Sequence, residues 1–532
     1  MGLKWLSEQL DGAHIMGYVP WFCNTTKFSK AAGGKFDFAK CLPEFDERCV
    51  GNTTGVALPT ANASTAFGLA CPWPESINGG PTCSVSNAEP APHDSYAFYA
   101  ELFQTAKAEH GVTNFEQDFT GQNAAMYGWP SCLTCAEEWL TGQHRAAAEL
   151  KMPMQFCLSD PASLLLSARF PWVTNARASG DYTGCTAWDI GTGGLLHWAM
   201  DVGPFHDVMW TKTFEAGDPY SNTSYRPTKN GSACIVHPDY GQPNVVLDAV
   251  ISAFSVAPVG IGDGPGHTNI ELARSMCMKD GRLLQPDKLL STLDRRLFLG
   301  ASGSWPRGIQ PAQTAQGPGG GSWVQGSHTS IAGMRWHFIL AVSVSPDDPW
   351  PLHPALDFYP APGPGDEYVQ YVLNQPLYDA TIRPCRDGEQ AFGPDGCARR
   401  LRANETAPVH SAHGQVRVCG PGVAEPCAPE GSAALSHHAA FVNGSHSISL
   451  RCFAPVLPAL EGWTFLGEAD KLVPISGARI TSVVAAAGGC LSIGLLGSAG
   501  EEVHLAAISP AGTFVRRSTT VAGGAATAKL CA

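Results

Sequence analysis

Between Gly12 and about Leu299, short apolar runs ending in polar residues alternate with helix-like stretches, and this alternation constrains the fold more than any other feature of the chain. Parallel strands need a crossover connection long enough to hold a helix, so a βα rhythm reads as a parallel sheet or barrel. The runs are Ala13 to Phe22, Val112 to Phe119, Met152 to Leu158, Trp172 to Ala178, Val208 to Thr213 and Val256 to Ile261. Ser95 to His110 places Phe98, Leu102, Phe103 and Ala106 at helical spacing and leads straight into the second run. Lys40 to Pro92, rich in Cys, Pro, Asn, Thr and Gly, reads as a long loop after the first strand. Loops at the carboxyl ends of barrel strands are where such folds build function. The expected class is α/β, with a TIM-type (β/α)₈ barrel over residues 1–305.

The pattern then changes. Gly308 to Gly326 and Pro360 to Gly365 are Pro/Gly-rich and read as turns or linkers. Trp336 to Val344, Ser447 to Phe453, Arg479 to Ala486, Cys490 to Leu496, Val503 to Ser509 and Thr513 to Val521 are short strand-like runs broken by turn residues. Residues 306–532 are therefore expected to form an antiparallel β-sandwich domain. Residues 379–440, which hold Cys385, Cys397, Cys419 and Cys427, show little periodicity and read as an irregular insertion.

Charge excludes some function classes. With 34 basic against 47 acidic residues, a net charge of −13 and no Lys/Arg run, the chain lacks the footprint of a nucleic-acid binder and the polybasic patch of a peripheral membrane protein. Small neutral or cationic ligands fit better. The longest apolar stretches, Val250 to Ile261 and the diluted Ile480 to Gly497, fall short of the roughly 20 apolar residues of a spanning helix, so no membrane span is expected. The start, MGLKWLSEQLDG, is not a signal peptide, and its Leu6 fails the myristoylation pattern. Yet 18 cysteines and seven Asn-x-Ser/Thr sequons, at Asn24, Asn52, Asn62, Asn222, Asn230, Asn404 and Asn443, point to a secreted, lumenal or lysosomal glycoprotein. Cys132 and Cys135 have redox-like or zinc-like spacing, but no second such pair accompanies them, and a disulfide is the reading. Neither an HExxH pair nor a nucleophilic G-x-S-x-G turn occurs.

Three stretches carry candidate chemistry. Phe115-Glu116-Gln117-Asp118-Phe119 closes an apolar run, and strand alternation puts Glu116 and Asp118 on one face, toward the mouth of a barrel. There a carboxylate can attack an anomeric carbon, or merely form a strand-end ion pair. Asn175 to Tyr182 holds Arg177 and Asp181 after another run; Asp181 reads as an acid/base or as a turn residue after Gly180, and Arg177 as a ligand contact or a loop lock. Retaining glycosidases need two carboxyl groups about 5 to 5.5 Å apart, which different strands of one barrel can supply. Val259 to His267 breaks a strand into a Gly-rich turn where Asp263 and His267 can touch a ligand, or which is a plain βα turn. Trp21, Trp172, Trp188 and Trp210 are candidates for stacking on a sugar ring, or core.

The blocks FEQDF, LKMPMQFCLSD, VTNARASGDY and VAPVGIGDGPGHTNIELARSMCMKDGRLLQPD resemble, in order and separation, the fourth, fifth, sixth and eighth barrel strands of the α-galactosidase and raffinose-synthase group of glycoside hydrolases. The resemblance covers roughly residues 10 to 300. It implies a retaining enzyme acting on α-galactosyl bonds of an oligosaccharide or glycoside, with Asp118 as nucleophile, Asp181 as acid/base and no metal or cofactor. Cys157 and Asp160 match the strand-five contact region, and Trp210 falls in the seventh strand. Glu116 stands where the group carries Lys, two residues before the nucleophile, so a negative charge replaces a positive one. The run at Ala13 matches the third strand, which implies that the chain is N-terminally incomplete. The other class of function is a catalytically silent carbohydrate-binding or scaffold protein on the same barrel.

Overall fold

The structure is a computed structural model that describes residues 15–19, 34–40, 88–118, 120, 132–157, 161–178, 190–206, 208–211, 245–264, 266–295, 298, 323–342, 344, 350–363, 365–372, 383–384, 397–409 and 448–531. The chain divides into two compact units, Met1–Ala178 with Leu196–Pro204, and Ser179–Leu195 with Phe205–Ala532.

In the first unit the elements run β1 (Met16–Val19), β2 (Phe38–Lys40), β3 (Ala88–Pro90), α1 (Ser95–His110), β4 (Asn114–Gln117), α2 (Cys135–Leu150), β5 (Met154–Phe156), α3 (Pro161–Ser167) and β6 (Val173–Arg177). After α4 (Ile190–Ala199), β7 (Gly203–Phe205) completes a five-stranded sheet of order β1-β4-β5-β6-β7. The ladders β1–β4, β4–β5 and β5–β6 are parallel, as the βα rhythm requires. The long segment after the first strand begins and ends in an antiparallel pair, β2 with β3.

Sequence explains the helical face. Helix α1 stops at Gly111, whose φ of 71° provides the left-handed cap, and its N–H reaches the Ala106 carbonyl. Phe98, Tyr99 and Phe103 of α1, Phe115 of β4, Trp139, Leu140, Ala146 and Ala147 of α2, Met154 and Phe156 of β5, and Val173 and Ala176 of β6 form one buried cluster. Each large apolar side chain in it contributes about 1.5–3 kcal/mol. The two helices meet at Gly142, where a Cβ would lie 2.6 Å from the Tyr96 backbone nitrogen, so only glycine permits the approach. Two polar contacts run through this layer: Gln143 donates to Gln117 Oε1 at 2.7 Å, and the Tyr99 hydroxyl donates to Glu89 at 3.0 Å. Complete burial pushes the Glu89 carboxyl well above the usual range, against the hydrogen bonds of Tyr99 and Trp139.

His144 of α2 is a second buried titratable group, stacked on Phe170 with ring centroids 4.1 Å apart. Burial pushes its pKa down to about 3, so the folded chain refuses a proton that the unfolded chain accepts below about 6.5. The stability this gives is present above about pH 6.5 and is lost as pH falls toward 3, at up to about 1.4 kcal/mol per pH unit. Urea unfolding of wild type and His144→Phe, which keeps the stacking, should differ by that slope between pH 6.5 and 4.5; parallel curves would refute it.

The second unit holds α5 (Val245–Ala253), α6 (Ile270–Met276), β8 (Lys288–Thr292), β9 (Trp323–Ile331), β10 (Met334–Val342), β11 (Trp350–Leu352), α7 (Pro354–Asp357), β12 (Glu367–Val372), β13 (Arg383–Pro384), β14 (Cys397–Arg402), β15 (Ala407–Val409) and β16 (Ile448–Val456). Then follow β17 (Thr464–Glu468), β18 (Ile480–Ala486), β19 (Cys490–Gly497), β20 (Glu501–Ile508), β21 (Phe514–Val521) and β22 (Gly524–Cys531). A seven-stranded sheet has the order β13-β14-β12-β16-β10-β9-β8, beside three-stranded sheets β17-β20-β21 and β18-β19-β22. Among the ladders described from β8 onward only β13–β14 is parallel. Trp336 Nε1 donates to the Phe465 carbonyl at 2.8 Å and the Tyr371 hydroxyl to that of Leu466 at 2.6 Å, tying the large sheet to β17. Gly467, at φ 105°, makes the bulge in β17, and a Cβ there would strike the Pro474 carbonyl at 2.4 Å. A buried ionic cluster joins Arg479 to Glu468 at 3.1 Å, to Glu501, and to the Leu496 carbonyl at 2.7 Å.

Three sequence expectations are corrected. The strand expected at Val208 to Thr213 falls instead at Gly203–Phe205, and Met209 keeps only a parallel bridge to Ile261. Val256 to Ile261 contributes no strand beyond that bridge, because Val256 is at φ 57°, outside the extended region. The segment read as an irregular insertion contains β14, which pairs with β12: Leu401 is buried, while Arg400 and Arg402 reach Glu367 on the exposed side. Charge on the outer face hides such a strand from a hydrophobicity reading. Of the sequons, Asn404 falls within the described residues and is exposed in the turn between β14 and β15.

Two disulfides lie within the described residues: Cys132–Cys135, as expected from the spacing, and Cys490–Cys531, which joins the paired strands β19 and β22. Their sequence separations are 3 and 41. Loop-closure entropy makes the longer link worth on the order of 4 kcal/mol and the shorter one about half of that. Among the described residues no helix is long and apolar enough to cross a membrane.

Candidate active site

Alternation along β4 decides which side chains face the helices. Phe115 packs against Phe103 at 4.8 Å between centroids, and Gln117 is bonded to Tyr99 and Gln143, so both face α1 and α2. Glu116 and Asp118 project from the opposite face. The same parity turns Met154 and Phe156 into the core and leaves Gln155 and Cys157 on the polar face; on β6, Ala176 is core, and Asn175 and Arg177 share that polar face. Strand register aligns Tyr18, Glu116, Gln155 and Asn175 in a row across the sheet. Asn175 Nδ2 donates to Gln155 Oε1 at 2.5 Å. Asp118, Cys157 and Arg177 stand one step nearer the carboxyl ends of their strands, the end at which parallel α/β sheets bind ligands.

The Tyr18 hydroxyl donates to Asp118 Oδ2 at 2.6 Å, and the Cys157 thiol is within hydrogen-bonding reach of both the Asp118 and Glu116 carboxyls. Asp118 is 5% exposed and Tyr18 52%, so the phenol is the solvent-facing side of this pair. Burial, then the hydrogen bond and charge of Asp118, push the Tyr18 phenol far up; burial, eased by Arg177, does the same to the Cys157 thiol, which the two carboxylates raise further. Both stay protonated at physiological pH and act as donors to the carboxylate between them. Cys157 is thereby a poor nucleophile. The Glu116 pKa is raised by burial and by the charge of Asp118, against the hydrogen bonds of Cys157 and Gln155 and the attraction of Arg177.

Of the residues singled out in the sequence, Glu116, Asp118, Cys157 and Arg177 come together here. Trp21, Asp160 and Asp181 lie outside the described residues. Trp210, Asp263 and His267 belong to the second unit. There Asp263 is occupied at both oxygens by Thr211, accepting its N–H at 3.0 Å and its hydroxyl at 2.5 Å, while the Asn269 N–H donates to the same hydroxyl at 2.6 Å. The Trp210 backbone N–H donates to Asp248 at 3.4 Å, and the His267 backbone N–H donates to the Gly264 carbonyl. Tyr18, Gln155 and Asn175 were missed by sequence reasoning. Tyr18 lies three residues before Trp21 in the same run, and only the register with Glu116 distinguishes it.

Among the described residues the one group with metal-ligand composition is Asp37, His93 and Asp94, at the foot of the β2–β3 pair. Its atoms already serve one another, Asp94 Oδ2 accepting the Asp37 N–H at 2.6 Å and Asp37 facing His93 Nε2 at 3.3 Å.

No family model matches the chain, and no curated protein does.

Proposed function

We propose that the protein is a retaining glycoside hydrolase or transglycosidase acting on α-linked, α-galactosyl sugars, built on a (β/α)₈ barrel followed by a β-sandwich. The observation that carries this reading is Asp118 at the carboxyl end of a parallel strand, its Oδ2 engaged by the Tyr18 hydroxyl at 2.6 Å. Attack from Asp118 forms a glycosyl–enzyme ester as the leaving oxygen takes a proton from Asp181, and Asp181 then deprotonates the water or acceptor alcohol that cleaves the ester. Tyr18 and Cys157 steady the carboxylate, and Arg177 and Glu116 are placed for sugar hydroxyls. The Cys490–Cys531 link and the exposed Asn404 support a secreted or lumenal setting.

The second reading, a silent carbohydrate-binding scaffold, is favoured by Glu116, a buried acid whose carboxyl is pushed up by burial, in place of the expected Lys. A panel of nitrophenyl α-glycosides decides between the readings: release of nitrophenol by the full-length protein supports the enzyme, and sugar binding without release supports the scaffold. Tyr18→Phe removes one hydrogen bond to a charged group, worth about 1.5–3 kcal/mol, and should lower kcat roughly 10- to 100-fold with KM little changed. An unchanged kcat would remove Tyr18 from the chemistry.

A further inference from the structure

We propose that Cys132 and Cys135 form a reversible thiol–disulfide exchange site whose co-reactant is an external dithiol, independent of any glycosidase activity. The bridge encloses only Leu133 and Thr134. It therefore restrains almost nothing that α2 does not already restrain. The helix is anchored by Trp139, Leu140, Ala146 and Ala147 in the core, by Gly142 against α1 and by Gln143 on Gln117. Its first turn is closed without sulfur: the Glu138 N–H donates to the Thr134 carbonyl at 2.8 Å, and the Thr134 hydroxyl donates to the Glu138 carboxylate at 2.7 Å.

Access and leaving-group chemistry agree. Both cysteines are partly exposed, Cys135 also resting against the apolar cluster, and Leu133 between them is fully exposed, so the bridge is open to a reductant from the Cys132 side. Cys135 is the first residue of a 16-residue helix, where unpaired amide N–H groups stabilise a thiolate. The acidic side chains of that turn are engaged, Glu137 by Arg169 and Glu138 by Thr134, which softens their opposition. Exchange then runs in two steps. An external thiolate attacks Cys132 Sγ, forming a mixed disulfide as the S–S bond breaks and Cys135 leaves as thiolate. The second thiol of the reductant displaces Cys132, so two electrons and two protons pass to the pair and the reductant becomes a disulfide. Cys490–Cys531 is the internal comparison, since it closes a long loop between paired strands.

The test equilibrates the full-length protein in dithiothreitol redox buffers of graded poise, alkylates the free thiols and maps them by peptide mass. Cys132 and Cys135 should become alkylated at a thiol/disulfide ratio at least ~10-fold milder than Cys490 and Cys531 require, about 30 mV for a two-electron couple. Circular dichroism should not change over that range, and the thermal midpoint should fall by no more than the loop-closure contribution of so short a link. Reduction of the pair only together with Cys490–Cys531, or only with unfolding, would overturn the proposal. The double variant Cys132→Ser/Cys135→Ser should fold cooperatively, with a melting midpoint lowered by no more than the small loop-closure contribution of so short a link; failure to fold would make the bridge structural and equally overturn it.

Discussion

Asp118→Ala is expected to lower turnover of an α-galactosyl substrate by roughly 10³-fold or more, because the proposed ester forms on that carboxylate and without it only binding and acid assistance remain. Folding should survive, since Asp118 projects away from the apolar cluster, and of the donors it leaves Tyr18 is half-exposed to water and the Cys157 thiol is a weak donor. The loss also has a chemical signature. A small external nucleophile such as azide can occupy the space of the missing carboxylate and displace the leaving group once, from the opposite face. Rescue by azide with a β-glycosyl azide as product fits a nucleophile at position 118. Unchanged turnover would remove the assignment, and loss of turnover with equal loss of circular dichroism would make the residue structural.

Arg479→Met is expected to destabilise the second unit by about 3–5 kcal/mol, because it leaves two carboxyls buried without their cation. Burial works against the Glu501 charge, yet the hydrogen bond from Arg479, the backbone N–H groups of Ser498 and Lys279 and the Arg479 charge hold its carboxyl down at about 2. Burial pushes Glu468 up to about 7 despite the same Arg479. The signs oppose. Glu501 gives stability that is present above about pH 4.5 and is lost as pH falls toward 2. Glu468 binds its proton more tightly folded than unfolded, so its contribution falls as pH rises from about 4.5 to 7. Denaturant unfolding should show wild type losing stability relative to Glu468→Gln as pH rises over that interval, and Arg479→Met should lower the midpoint at every pH. A midpoint unmoved by Arg479→Met would mean that the carboxyls find other partners.

What could be read in the sequence was what depends on local period. The helix Ser95–His110, the strands β4, β5 and β6 and the C-terminal strands β10, β16 and β18 to β21 all carry apolar residues at the spacing their structure needs. What escaped depends on partners distant in sequence. Gly203–Phe205 is a strand of three residues with Gly and Pro, recognisable only by its pairing next to β6 at the end of the sheet. Cys397–Arg402 hides its one buried leucine among arginines that pair with Glu367. In the candidate site, period-two alternation was enough to put Glu116 and Asp118 on one face. It could not place Tyr18 opposite Glu116, since register between β1 and β4, about a hundred residues apart, is set by packing across the sheet.

The most direct test of the central claim is to trap the ester. A fluorinated α-galactosyl fluoride, which forms the glycosyl–enzyme faster than water removes it, is incubated with the full-length protein, and the digest is read by mass spectrometry. The account predicts one fluorosugar added per chain, on the peptide containing Asp118 and localised to that residue. A label on Glu116 or Tyr18, or turnover of the reagent with no labelled peptide, would contradict it.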